Sequence, residues 1–112
     1  IRCDRHYPFF KNMTEADKND ITACHNSLLE EALGGGFDMV IVDEFNVAYK
    51  YGLMDKKRVQ KLIFDGLENA EVILTGRDPD EIFLGKADYV SEIKCVKHPY
   101  ERGITARKGI EF

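Results

Sequence analysis

The stretch "MVIVDEFN", residues 39–46, decides the fold. Met39-Val40-Ile41-Val42 is apolar without alternation, the pattern of a strand covered on both faces inside a parallel sheet flanked by helices. At its end stand two adjacent carboxylates, Asp43 and Glu44. In open α/β sheets ligands bind beyond the carboxyl ends of the strands, so the pair falls where a ligand would lie. A plainer role is available: acids favour a helix N-terminus, and a short helix is predicted from about Phe45.

Working outward, "AEVILTGR" repeats the design, a predicted strand over Glu71–Thr75 that ends in a small polar turn. Between the two strands, "FNVAYKYGLM" reads as a short helix stopped by Gly52. A second helix follows from Asp55, with Val59, Leu62 and Ile63 inward. After the second strand, Asp78-Pro79-Asp80-Glu81 supplies an N-cap at Asp78, a proline at the first helical position and a glutamate at the third, which predicts a short helix to about Leu84. "DYVSEIKCV" (88–96) alternates and is expected to be an edge or half-covered strand.

Toward the N-terminus, Thr14 caps a helix whose apolar positions are Ile21, Cys24, Leu28, Leu29 and Ala32. It stops at Gly34-Gly35-Gly36. This triplet closes a helix and leads into a strand, the reverse of a phosphate loop, so it is read as a helix stop. Residues 1–6 suggest a short strand broken by "YPFF" (7–10). The tail, 97–112, is punctuated by glycine and proline, carries several cations and is expected to fold over the ligand edge of the sheet.

The chain of 112 residues is expected to be one domain, and its composition, 44% hydrophobic and 32% charged, is that of a soluble globular protein. A net charge of -4 and a pI near 5.4 argue against general affinity for nucleic acid or anionic membrane. Apolar runs of strand length and the lack of a leader pattern point to a cytoplasmic protein. Cys3, Cys24 and Cys95 show neither a disulfide framework nor zinc spacing and are expected to be buried, reduced thiols. His6, His25 and His98 lack helical metal-pair spacing.

Alternating strands and helices predict an α/β fold with a mainly parallel sheet. An apolar strand ending in Asp-Glu, followed by helices and a second such strand, is the layout of the later part of a P-loop NTPase (RecA-like) three-layer domain, yet no G-x-x-x-x-G-K-[ST] occurs. The expectation is therefore that the first strand and its P-loop lie upstream of Ile1, with residues 1–112 forming the C-terminal two-thirds of one domain. A short domain completing its sheet with a partner is the alternative.

"FDMVIVDEFNVAYKYGL" (37–53), "VILTGR" (72–77), "ADYVSEIKCVKHPYERGITARKGIEF" (87–112) and, more weakly, "DITAC" (20–24) resemble the P-loop type of corrinoid adenosyltransferases; the specific part is "VKHPYERGITARKGIEF". That resemblance implies transfer of the 5′-deoxyadenosyl group from ATP to the Co(I) of cobalamin or of cobyrinic acid a,c-diamide, in adenosylcobalamin biosynthesis or salvage. It implies ATP, Mg²⁺ and a reduced corrinoid as small molecules, a homodimer, and an electron donor for Co(II). No nucleophilic side chain is needed, because Co(I) is the nucleophile.

By the same resemblance Glu44 is a Mg²⁺ ligand and Asp43 supports the metal site. Arg77 faces phosphate or corrinoid, or is a surface arginine. Lys97 and His98 help shape the nucleotide pocket or serve a structural role, and Arg107 and Lys108 are solvated or paired. A Gly-Phe-Thr-Trp type of motif, whose aromatics pack beside the corrinoid in the family, is replaced here by "FFKN" (9–12). Aligned through "DITAC", Phe10 takes the phenylalanine position, with Phe9 beside it, and Asn12 falls where tryptophan is usual; Tyr7, Phe9 and Phe10 also fit simple packing. Two other classes fit the acidic pair: a P-loop ATPase using it for hydrolysis, and a non-catalytic corrinoid-binding module. With no P-loop in its 112 residues, the chain alone is expected to show negligible adenosyl transfer.

Overall fold

In the computed structural model residues 1–65 and 70–110 are described. Residues 66–69 and the last two residues of the tail lie outside that description. The chain folds as an α/β unit. Helix α1 spans Glu15–Gly34, strand β1 Met39–Val42, helix α2 Phe45–Lys50, helix α3 Lys56–Asp65, strand β2 Glu71–Leu74 and helix α4 Glu81–Leu84. Short 3₁₀ turns at Phe10–Asn12 and Pro99–Arg102 flank them.

The strands pair in parallel, Met39 opposite Glu71 through Val42 opposite Leu74. Bonds from Glu71 N–H to the Asp38 carbonyl and from Thr75 N–H to the Val42 carbonyl extend the ladder at both ends. On one face Val42 and Leu74 pack against a cluster of Leu29, Phe45, Tyr49, Met54, Val59 and Phe83, so α1 to α4 all contribute to one core. Phe83 meets Phe45 and Tyr49 edge-on, with centroids 5.0 and 4.9 Å apart, a favoured aromatic geometry. Phe45 and Val59 are fully buried.

Local signals set the helix ends. Thr14 and Asp17 form a capping box at the start of α1, and Gly36, at φ +70°, leads the chain away from its end. Asp55 accepts from the Arg58 N–H and so caps α3, while its own N–H donates to buried Asn26 of α1. That bond joins the helices at a polar point within the core, where both groups need a partner.

Five sequence expectations are corrected. First, the two strands are covered on one face only: Met39 is 53%, Ile41 62% and Ile73 42% exposed. Apolar residues on both faces signal that two layers can be accommodated, and the described residues supply one. Second, residues 88–96 form no strand, and Tyr89, Ile93 and Val96 stand exposed. Alternation suits a strand, but a strand needs a neighbouring edge to pair with. Third, residues 1–6 form no strand either. Fourth, the N-cap of α4 is Asp80, whose carboxylate accepts from the Ile82 N–H, while Asp78 sits at φ +51° in the preceding turn.

The fifth correction concerns the thiols: Cys3 and Cys24 form a disulfide, and Cys95 is exposed. Residues 1–9 fold back along α1, where Arg5 and the Tyr7 hydroxyl both bind Asp20. Asp20 and Cys24 are one helical turn apart on the same face, so docking the segment on Asp20 brings Cys3 to Cys24. Spacing along the chain carries no trace of that return. These contacts hold the Asp20 carboxyl below its ordinary range, first through hydrogen bonds from Arg5 and Tyr7.

Candidate functional site

The acidic pair sits in the turn between β1 and α2, at the carboxyl edge of the sheet, with both residues exposed. Glu44 occupies the N-cap position of α2 but makes no side-chain cap bond, so the plain helix-capping role is not the one seen. Its backbone is left-handed, φ 53° and ψ 24°. For a non-glycine residue such a conformation costs on the order of 1 kcal/mol or more and persists where neighbours enforce it.

Those neighbours come from the end of β2. The Thr75 hydroxyl donates to Asp43 Oδ1 at 2.7 Å and accepts the Glu44 N–H at 3.0 Å. Asn46, buried, donates its backbone N–H to the Thr75 carbonyl at 3.2 Å and its amide Nδ2 to the Gly76 carbonyl at 3.3 Å. Gly76 lets the two turns meet: at φ +124°, a Cβ there would lie 3.1 Å from Asn46 Cβ and 3.2 Å from its nitrogen.

Arg77 follows in the same turn, exposed, and so shares the edge with Asp43 and Glu44. Next to it the Asp78 carboxyl is held below its ordinary range, chiefly by the hydrogen bond from Lys50 Nζ at 2.8 Å and then by its charge, with a smaller contribution from Arg77. Among the described residues, neither the second Asp43 oxygen nor the Glu44 carboxylate has a hydrogen-bond or ion-pair partner. No group of three or more His, Cys, Asp or Glu that could hold a metal gathers among them.

The other residues singled out from sequence make no hydrogen bond or ion pair to Asp43 or Glu44. His98 Nδ1 accepts from the Tyr100 N–H and caps the Pro99–Arg102 turn, and Lys97 beside it is exposed. Phe10 packs on Tyr51, centroids 4.5 Å apart, just past the C-terminal end of α2, with Lys18 Nζ 5.5 Å from its centroid. Phe9 is 88% exposed. Sequence reasoning missed Thr75, Asn46 and Gly76, although a small polar turn after the second strand was visible in "LTGR".

A family model described as ATP:corrinoid adenosyltransferase BtuR/CobO/CobP matches residues 3–112. The chain belongs to this family. It is 37% identical over 75 residues to a corrinoid adenosyltransferase of Sinorhizobium sp, an alignment covering 66% of this chain and 35% of that protein. The corrinoid adenosyltransferase of Pseudomonas aeruginosa is 38% identical over 74 residues, 66% of this chain and 36% of its own. That of Escherichia coli K12 is 33% identical over 75 residues, 67% and 38% respectively. The chain thus spans little more than a third of the length of these adenosyltransferase relatives. No helix among its described residues is long and apolar enough to cross a membrane.

Proposed function

We propose that this chain is part of an ATP:corrinoid adenosyltransferase that moves the 5′-deoxyadenosyl group of ATP onto the Co(I) of a reduced corrinoid. The cobalt–C5′ bond forms from the electron pair of Co(I), the C5′–oxygen bond breaks, and triphosphate leaves. The protein contributes alignment and charge rather than a nucleophile. The observation that carries the reading is the acidic pair fixed at the sheet's carboxyl edge with unshared oxygens, in a chain of this family.

Mg²⁺ fits that donor set. It takes hard oxygen ligands and is usually held by one or two carboxylates together with substrate phosphates and waters, and here the protein offers two carboxylates and no fuller cage among the described residues. Glu44 is the proposed ligand, and Asp43 supports it from the adjacent position. When bound, the ion would neutralise charge on the leaving triphosphate. Arg77, exposed in the turn after β2, is the proposed phosphate-facing cation. For the corrinoid the proposed residues are Phe10, which packs on Tyr51, and exposed Phe9; for the nucleotide pocket they are Lys97 and His98.

The wider reading is a P-loop three-layer domain in a homodimeric cytoplasmic enzyme, supplied with electrons by a separate donor. Two features support the three-layer arrangement: the exposed apolar face of Met39, Ile41 and Ile73, and the unpaired alternation of residues 88–96. The test is ATP-dependent conversion of Co(I) cobalamin to its adenosyl form by the full-length natural protein, followed by absorbance. Glu44→Ala is expected to weaken use of Mg-ATP. ATP hydrolysis independent of corrinoid, with no adenosylated product, would overturn the proposal.

A further inference from the structure

Thr75 meets its neighbours through backbone as well as side chain: its N–H donates to the Val42 carbonyl at the end of β1, and its carbonyl accepts the Asn46 N–H of α2. Its hydroxyl is spent on the acidic pair, donating its one proton to Asp43 and accepting the N–H of Glu44. We propose that Thr75 is a positioning residue that sets the acidic pair for a divalent cation. This rests on the reading of Asp43 and Glu44 as the cation site.

Asp43 Oδ1 is committed to the hydroxyl, which fixes the carboxylate and leaves its other oxygen without a partner among the described residues. Glu44 keeps a left-handed backbone whose N–H has this hydroxyl as its acceptor, so the same oxygen fixes the direction in which the Glu44 side chain leaves the chain. One hydroxyl therefore couples both carboxylates to β2. Asn46 and Gly76 hold the turn at that distance but touch neither carboxylate. Groups that orient a metal's carboxylate ligands in this way typically contribute on the order of 10–100-fold to metal affinity.

The experiment is Mn²⁺ affinity in the presence of ATP, read from the free-ion electron paramagnetic resonance signal, on the full-length natural protein and its Thr75→Val, Thr75→Ser and Glu44→Ala variants. Thr75→Val is expected to weaken Mn²⁺ binding on the order of 10–100-fold while leaving metal-free ATP binding unchanged, and Thr75→Ser to restore it. If Glu44→Ala weakens Mn²⁺ and Thr75→Val does not, the positioning role is overturned and the cation site stands. If Thr75→Ser is as weak as Thr75→Val, the hydroxyl alone does not account for the loss, and the proposal fails. If Glu44→Ala binds Mn²⁺ as the parent does, the site and the positioning role fall together. Should Thr75→Val not fold, Thr75→Cys, similar in size but a weak donor, replaces it, and parent-like affinity there overturns the proposal.

Discussion

The Cys3–Cys24 disulfide holds residues 1–9 against α1, and its removal should be felt by the whole chain. The bond closes a loop across a sequence separation of 21. For a loop of that size, restriction of the unfolded chain is worth about 3 kcal/mol at 25 °C. The other anchors of the segment are the exposed Arg5–Asp20 ion pair, of a kind that contributes little, and the part-buried hydrogen bond from Tyr7 to Asp20, whose net contribution is modest. The disulfide thus dominates, and reduction should lower the urea midpoint of unfolding by about 1–3 M for a denaturant sensitivity of about 1–3 kcal/mol per molar. Alkylation and intact mass supply the companion count: one reactive thiol, Cys95, before reduction and all three cysteines after it. Trypsin should also cut at Arg2 and Arg5 faster in the reduced protein. Three reactive thiols without reductant, or an unchanged midpoint in the Cys3→Ser/Cys24→Ser variant, would refute the reasoning.

Asp20, with its carboxyl depressed by Arg5 and Tyr7, contributes stability that is present above the ordinary aspartate range and is lost as pH falls through its lowered folded value. Asp20→Asn should therefore flatten the acid limb of unfolding free energy against pH, and an unchanged limb would remove Asp20 as a contributor. Phe83→Ala should cost about 3–5 kcal/mol in urea unfolding, because its ring is buried among Phe45, Tyr49 and Phe64. A cost under about 1 kcal/mol would mean that α4 does not close the core. Gly76→Ala, strained at φ +124° and in contact with Asn46, should lower both stability and Mn²⁺ affinity, whereas Gly52→Ala, also at positive φ but with open space around it, should lower stability alone.

Much of the fold could be read because its signals are local. The apolar runs at 39–42 and 72–74, the Thr14 cap, the glycine stop after α1 and the inward Val59 each depend on residues within a turn or two, and each matches an element observed. Where reading failed, the determining partner was remote in sequence or outside the described residues. A strand at 88–96 needs an edge to pair with; the return of Cys3 to Cys24 needs Asp20 as a dock; the cover over Ile41 and Ile73 needs a second layer. None of these is encoded in the periodicity of the segment concerned.

The site divides along the same line. Asp43 and Glu44 stand out as candidates because the end of an apolar strand is a place that sequence can locate, and carboxylates there have no packing purpose. Thr75 does not, because its role depends on register: only with Val42 opposite Leu74 does the residue after β2 reach the residue after β1. A shift of one residue would turn that side chain to the other face of the sheet. The hydroxyl would then lose Asp43, and the left-handed turn at Glu44 would lose the acceptor of its N–H. The acidic pair is thus held by strand pairing rather than by its own helix, and any substitution that loosens β1 from β2 should reach Mn²⁺ affinity before it reaches the packing of Phe45 beneath.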